Sequence, residues 1–250
     1  MPPKFDFEKA FICAKLSGLS YMGREGFAIS ALCEGFDASY FFEVGDTQCF
    51  VVHNADNIFC VFRGTESVGD WRTNFNFDRK ETIIGSVHDG FASALESIWY
   101  QVESKIVELY RSSTREIYIT GHSLGGALAT IASVRLTFRG YYPYLYTFGS
   151  PRVGSQSFVD TYWRTVGECG YRVVNNNDAV ATLPPRPFIH IGERIYIDSK
   201  KRIHTGSSMF YRFKDRALGR IKDIGRCSTD GIKDHAIENY IEALEYAVKG

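Results

Sequence analysis

EIYITGHSLGGALATIASVRL, residues 116–136, decides the fold. Ile117, Tyr118 and Ile119 are β-branched or aromatic and read as a strand, and Gly121-His122-Ser123-Leu124-Gly125-Gly126 reads as a tight turn. From Ala127 onward, Leu128, Ile131, Val134 and Leu136 mark a largely apolar helix. A strand that reverses straight into a helix has no room for a Cβ on either flank of its central residue. Glycines on both sides of Ser123 meet that demand, hold the serine under strain and lift its oxygen clear at the positive end of a helix. A bare Gly-x-Ser-x-Gly match recurs by chance, and its bland alternative is a glycine-rich loop with a solvated serine. The flanking strand and helix make the match a nucleophile elbow.

The rest of the composition narrows the setting. A chain of 250 residues can bury a sizeable core as one large α/β domain or two small ones, and no repeat or low-complexity tract argues for two. Lysine plus arginine equal aspartate plus glutamate at 29 each, so no global field draws the chain to nucleic acid. The first twenty residues hold no uninterrupted apolar run with a cleavage site, and no window is long enough to cross a bilayer. A cytoplasmic protein is the expectation from these segments. Cys13, Cys33, Cys49, Cys60, Cys169 and Cys227 are scattered without a Cys-x-x-Cys pair and are expected to be mostly free and buried.

Along the chain, residues 7–21 place Phe7, Phe11, Ala14 and Leu16 at mostly helical spacing. Residues 49–62 form two β-rich runs around Asn54-Ala55-Asp56-Asn57, the turn chemistry of a hairpin. The second run delivers the chain into Gly64-Thr65-Glu66, where residue 65 is a candidate donor to an oxyanion. Residues 67–77 carry Trp71 and Phe75 among polar neighbours and read either as a short flap over a site or as a loop anchored by a buried tryptophan. Asp89 can cap the next helix, whose Phe91, Leu95, Ile98, Val102, Ile106 and Leu109 form a core stripe. Residues 144–148 and 171–174 read as further parallel strands, 188–191 with 194–197 as a hairpin around Gly192-Glu193, and 234–248 as a last helix with His235 in its first turn. Strands alternating with helices predict a mainly parallel sheet with functional loops at its carboxyl edge.

A serine hydroxyl is a poor nucleophile at neutral pH unless a histidine takes its proton and a carboxylate fixes that histidine's tautomer. In α/β-hydrolases these follow the serine in the order acid, then histidine. His190 sits in a strand-like run and His204 in a basic loop, so His235 is favoured. Asp160 falls in a predicted helix and Asp198 ends a strand, so Asp178, on a loop just past a central strand, is favoured. His122 points away from the nucleophile by the geometry of the turn and is expected to pack behind it.

The chain resembles the class 3 lipases, a branch of the α/β-hydrolase superfamily. The matching pieces are Val61-Phe62-Arg63-Gly64-Thr65, Asp70-Trp71, Val87-His88-Asp89-Gly90-Phe91, Ile119-Thr120-Gly121-His122-Ser123-Leu124-Gly125-Gly126, Thr147-Phe148-Gly149-Ser150-Pro151-Arg152-Val153-Gly154, Asn177-Asp178 with Leu183-Pro184-Pro185, and Asp234-His235. The resemblance implies an α/β-hydrolase domain over residues 1–250 with a lid at about 66–77, in which Trp71 matches the lid tryptophan. It also implies a Ser123, Asp178 and His235 triad, an oxyanion hole at Thr65 and the backbone N–H of Leu124, and no cofactor or metal. The activity implied is hydrolysis of lipid esters of the triacylglycerol type. A phospholipase A1, a galactolipase or a short-chain or aromatic-ester esterase would use the same residues, and a lipase-like binding module without catalysis is the reading from another class. Residues 200–222 hold eight basic side chains against the single acid Asp215, interleaved with Met209, Phe210, Tyr211 and Phe213. That stretch reads as a solvated face or as a surface for transient contact with an anionic membrane or a lipid droplet.

Overall fold

Runs of β-branched and aromatic residues buried on both faces build the central sheet of the protein, whose computed structural model describes residues 4–65, 77–206 and 230–250. The strands lie in the order β1 (Ala38–Val44), β2 (Thr47–His53), β3 (Asn57–Phe62), β6 (Glu116–His122), β7 (Tyr144–Phe148), β8 (Gly170–Asn175), β9 (Glu193–Ile197) and β10 (Ile203–His204). From β3 to β9 the pairing is parallel, and antiparallel neighbours close both edges. A separate antiparallel pair joins β4 (Arg79–Thr82) to β5 (Gly85–His88).

Successive side chains of a strand face opposite ways, so one strand feeds two cores. Ile117 and Ile119 pack with α3 (Asp89–Ser112), α4 (Leu124–Phe138) and α5 (Gln156–Thr165), whereas Tyr118 packs with α1 (Phe7–Leu19), α2 (Gly23–Cys33) and α7 (Ile237–Lys249). Register aligns the carboxyl ends: Phe62 sits opposite Gly121, His122 opposite Phe148 and Phe148 opposite Val173. The loops after β3, β6, β7 and β8 therefore leave the sheet side by side.

Several local expectations need correction. Residue 88, not Asp89, is the N-cap of α3, and no side chain caps it. Asp89 is the first helical residue, where its charge still complements the helix dipole. Residues 188–191 form no strand and no hairpin, because the exposed edge of β8 pairs in parallel with β9, and Gly192 at φ 75° redirects the chain into it. The last helix starts at Ile237 rather than 234, after the short α6 (Asp230–Lys233), so His235 lies in the link between two helices. Trp71 and Phe75, nearly all of the expected flap, and the stretch from 207 onward in the basic segment lie outside the described residues, as does Cys227. Of the other cysteines, Cys13, Cys49 and Cys60 are free and buried, Cys169 is free and half-buried, and Cys33 is free and exposed.

Among the described glycines the closest approach to backbone is α4 against β3, where a Cβ on Gly125 would overlap the Phe62 carbonyl. Backbone cannot give way as a side-chain tip can, so Gly125→Ala is expected to lower unfolding free energy by at least the roughly 1–3 kcal/mol typical of overpacking. Denaturant midpoints measure this, and an unchanged midpoint contradicts it.

Candidate active site

Ser123 follows β6 and is the N-cap of α4, at φ 57° and ψ −128°. A non-glycine residue there costs about 1–3 kcal/mol and persists because its surroundings over-determine it. The Ser123 N–H donates to the Phe148 carbonyl at 2.9 Å, and its own carbonyl accepts from Gly126 N–H at 3.0 Å. Gly121 faces the Gly125 backbone with no space for a side chain, and Gly126 faces Ser150 at 2.8 Å from the place a Cβ would occupy.

Asp178 lies on the loop after β8, in a turn closed by its N–H to the Asn175 carbonyl at 2.9 Å. Its side chain is fully buried, and it accepts from the Val180 N–H at 2.9 Å and from the Tyr240 hydroxyl. Burial and then the Asp178 charge push the Tyr240 hydroxyl well above its ordinary range, which keeps it a donor. His235 Nδ1 lies 2.9 and 3.0 Å from the two Asp178 oxygens. A buried carboxylate only accepts, so the proton sits on Nδ1 and Nε2 carries a lone pair. Nε2 is buried and meets no hydrogen-bond partner among the described residues. Gly149, at φ 57°, makes room for the pair: a Cβ there would lie 2.7 Å from Asp178 Oδ2 and 2.8 Å from His235 Nδ1.

The three asparagines before Asp178 hold the link that carries His235. Asn175 Nδ2 donates to the Asp234 carbonyl at 2.8 Å, while Asn176 Nδ2 and Asn177 N–H donate to the Asp234 carboxylate at 2.9 and 3.2 Å. The sequence showed Asn177-Asp178 and Asp234-His235 as motifs, but not that they clasp each other. Nor did it single out Tyr240, which reads there as one more apolar position of a helix.

The other candidates are engaged elsewhere. His190 Nε2 donates to the Ala181 carbonyl at 2.6 Å, and burial followed by the Arg172 charge holds that ring well below its usual range. Asp160 accepts from Gln156 on the exposed face of α5. Asp198 is bound by Arg202 and by His204 Nε2 at 3.0 Å. Thr65 follows β3, and its Oγ1 is buried without a hydrogen-bond partner among the described residues. Leu124 is the first residue of α4, where backbone N–H groups are not consumed by the helix. The structure thus brings Asp178 and His235 into contact and sets both beside the loop after β7. Among the described residues no group of three or more His, Cys, Asp or Glu gathers as a metal site.

The sequence pattern of the lipase (class 3) family matches residues 59–188, just over half of the chain. This protein is a class 3 lipase family member. A secreted mono- and diacylglycerol lipase of Fusarium solani is 39% identical over 130 residues, covering 50% of this chain and 39% of the relative. A lipase of Rhizomucor miehei is 31% identical over 165 residues, covering 61% and 45%. The chain thus spans roughly two-fifths of the length of these curated relatives. Among solved structures, lipase II from Rhizopus niveus superposes with a TM-score of 0.66 at 27% identity, covering 76% of this chain and 79% of that one. A triacylglycerol lipase structure superposes at 0.68 with 24% identity, which shows the shared fold. The class 3 lipase chain has the α/β-hydrolase fold that its sequence predicted. The cytoplasmic expectation is corrected by the same comparison, since the Fusarium relative is a secreted protein. No helix among the described residues is long and apolar enough to cross a membrane.

Two outcomes follow for the polar groups. Tyr240→Phe strips a donor from a buried carboxylate and is expected to lower unfolding free energy by about 1–3 kcal/mol, measured in urea. Asp198 is opposed by burial, yet the hydrogen bonds from His204 and Arg202 outweigh it and bring the carboxyl down to about 2. Its folded pKa is below the unfolded value of about 3.9, so its contribution is complete above pH ~4 and is lost as pH falls through ~2. Asp198→Asn is expected to flatten stability against pH within that window, and an unaltered slope contradicts the assignment.

Proposed function

We propose that this class 3 lipase, folded as a single domain, is a serine-dependent carboxylic ester hydrolase acting on acylglycerols or related lipid esters. The Asp178–His235 contact carries the reading: it leaves a lone pair on a buried Nε2, at the sheet edge from which the strained Ser123 projects. His235 Nε2 accepts the Ser123 proton as the oxygen attacks the ester carbonyl. Asp178, held by Tyr240 and two backbone N–H groups, keeps the ring oriented and stabilises the imidazolium. Charge developing on the carbonyl oxygen is met by Thr65, whose Oγ1 has no other partner among the described residues, and by the Leu124 N–H. The imidazolium then protonates the departing alcohol. Water, giving its proton to the same Nε2, cleaves the acyl-serine and restores the enzyme.

Relatives named for mono- and diacylglycerols support acylglycerol as substrate, and their secretion supports an extracellular place of work. Contact with a lipid surface follows from such substrates, which gather at interfaces. Each oxyanion donor is worth about 10²- to 10³-fold in kcat.

Because the three residues act as a unit, Ser123→Ala and His235→Ala are each expected to lower kcat by about 10⁴-fold or more, with the double variant no worse than either. Hydrolysis of p-nitrophenyl esters and emulsified triacylglycerol measures this, with fluorophosphonate labelling of Ser123 alongside. Additive losses, absence of labelling, or turnover retained by Ser123→Ala would sink the proposal.

A further inference from the structure

His122, beside the nucleophile, does more than fill space. Its ring is buried and both nitrogens are engaged: Nε2 lies 2.7 Å from the His235 carbonyl and Nδ1 lies 2.8 Å from the Tyr21 hydroxyl. A carbonyl has no proton to give, so Nε2 is the protonated nitrogen and donates. Nδ1 of the neutral ring is then the acceptor, and Tyr21 O–H is the donor. The His122 and His235 rings lie 4.4 Å apart at 33°, so one ring backs the other.

We propose that His122 is a positioning residue for the general base: its Nε2–H fixes the His235 main chain, and the Tyr21 hydroxyl, donating to Nδ1, holds the ring in the orientation that makes this possible. The inference rests on the reading of Ser123, Asp178 and His235 given above. Asp178 and Tyr240 restrain the His235 side chain from its Nδ1 side, and the asparagines restrain Asp234. The carbonyl of His235 itself is held by His122, from the same turn that carries the serine. Nucleophile and base are thereby tied to each other across 113 residues of sequence without passing through the acid. Burial and then the nearby His235 keep the His122 imidazole well below its ordinary range, so the adjacent pair carries one positive charge during catalysis rather than two. Tyr21 extends the tie to the oxyanion loop. Its hydroxyl fills the space that a Cβ on Gly64 would need, and the Arg63 guanidinium lies 5.7 Å from its ring.

Displacement of a base by about 1 Å costs about 10²-fold in rate. His122→Phe, which keeps a ring and loses both hydrogen bonds, is therefore expected to lower kcat on a soluble p-nitrophenyl ester by about 10²-fold, with KM within about twofold. His122→Gln places an amide N–H near the imidazole Nε2 and is expected to recover most of that loss. Tyr21→Phe leaves the buried Nδ1 without its donor, loosens the ring and is expected to lower kcat about threefold to tenfold, on the scale of one net hydrogen bond. Rates are counted per fluorophosphonate-titrated site, so a merely structural role, which lowers the fraction of folded enzyme, leaves kcat unmoved. Wild-type kcat in His122→Phe, or His122→Gln no better than His122→Phe, overturns the proposal. Where His122→Phe does not fold, His122→Gln near wild type together with a reduced Tyr21→Phe supports the proposal, and wild-type kcat in Tyr21→Phe overturns it. Failure of the underlying reading looks different: Ser123→Ala then keeps its turnover or Ser123 takes no label, and the positioning role falls with it.

Discussion

Everything at the site depends on how closely α4 approaches the sheet. The Gly125 backbone lies against the Phe62 carbonyl and the Gly121 backbone, so the turn between strand and helix has one shape. That shape puts Ser123 into a conformation that a serine avoids elsewhere, and only rigid neighbours can keep it there. The parallel pairing of β3, β6, β7 and β8 then determines what stands around it, because each strand ends at the same edge and releases its loop there. The geometry at this edge of the class 3 lipase chain is therefore a consequence of backbone packing before it is a matter of side chains.

A second layer of restraint is polar. Asp178 is a charge with no exposure, which is tolerable only because Tyr240, two main-chain N–H groups and the His235 ring surround it. The asparagine clasp on Asp234 and the His122 bond to the His235 carbonyl bring the His235 ring to that charge from the backbone side. Each group is held by partners that the others also use, so loss of one partner leaves a buried polar atom unmatched rather than a small gap.

Local signals in the sequence were read well. The elbow, the stripe of α3 and the central strands are governed by periods of two and 3.6 residues and by glycine, all visible within a short window. Misreadings came where distant partners decide. Phe188–Ile191 has strand-like residues, but the free edge of β8 went to residues 193–197 instead, and no short window contains that competition. The segments that form α2 and β1 gave no pattern strong enough to assign. His122 read as packing because its donor, Tyr21, lies 101 residues away, and Tyr240 read as a helix position because its acceptor lies 62 residues away. Chain order and loop placement were enough to single out Ser123, Asp178 and His235 as candidates, whereas the groups that hold their neighbours gave no such signal.

The span that the family pattern matches has its own meaning. The matched region, 59–188, contains Ser123, Asp178 and Thr65, yet His235, Tyr240 and Tyr21 all lie beyond its borders. The family pattern and the set of residues that meet at this sheet edge are thus drawn with different outlines. Trimmed to that span, the protein would keep Ser123 and an orphaned Asp178, and would lose His235 along with the helices that present it.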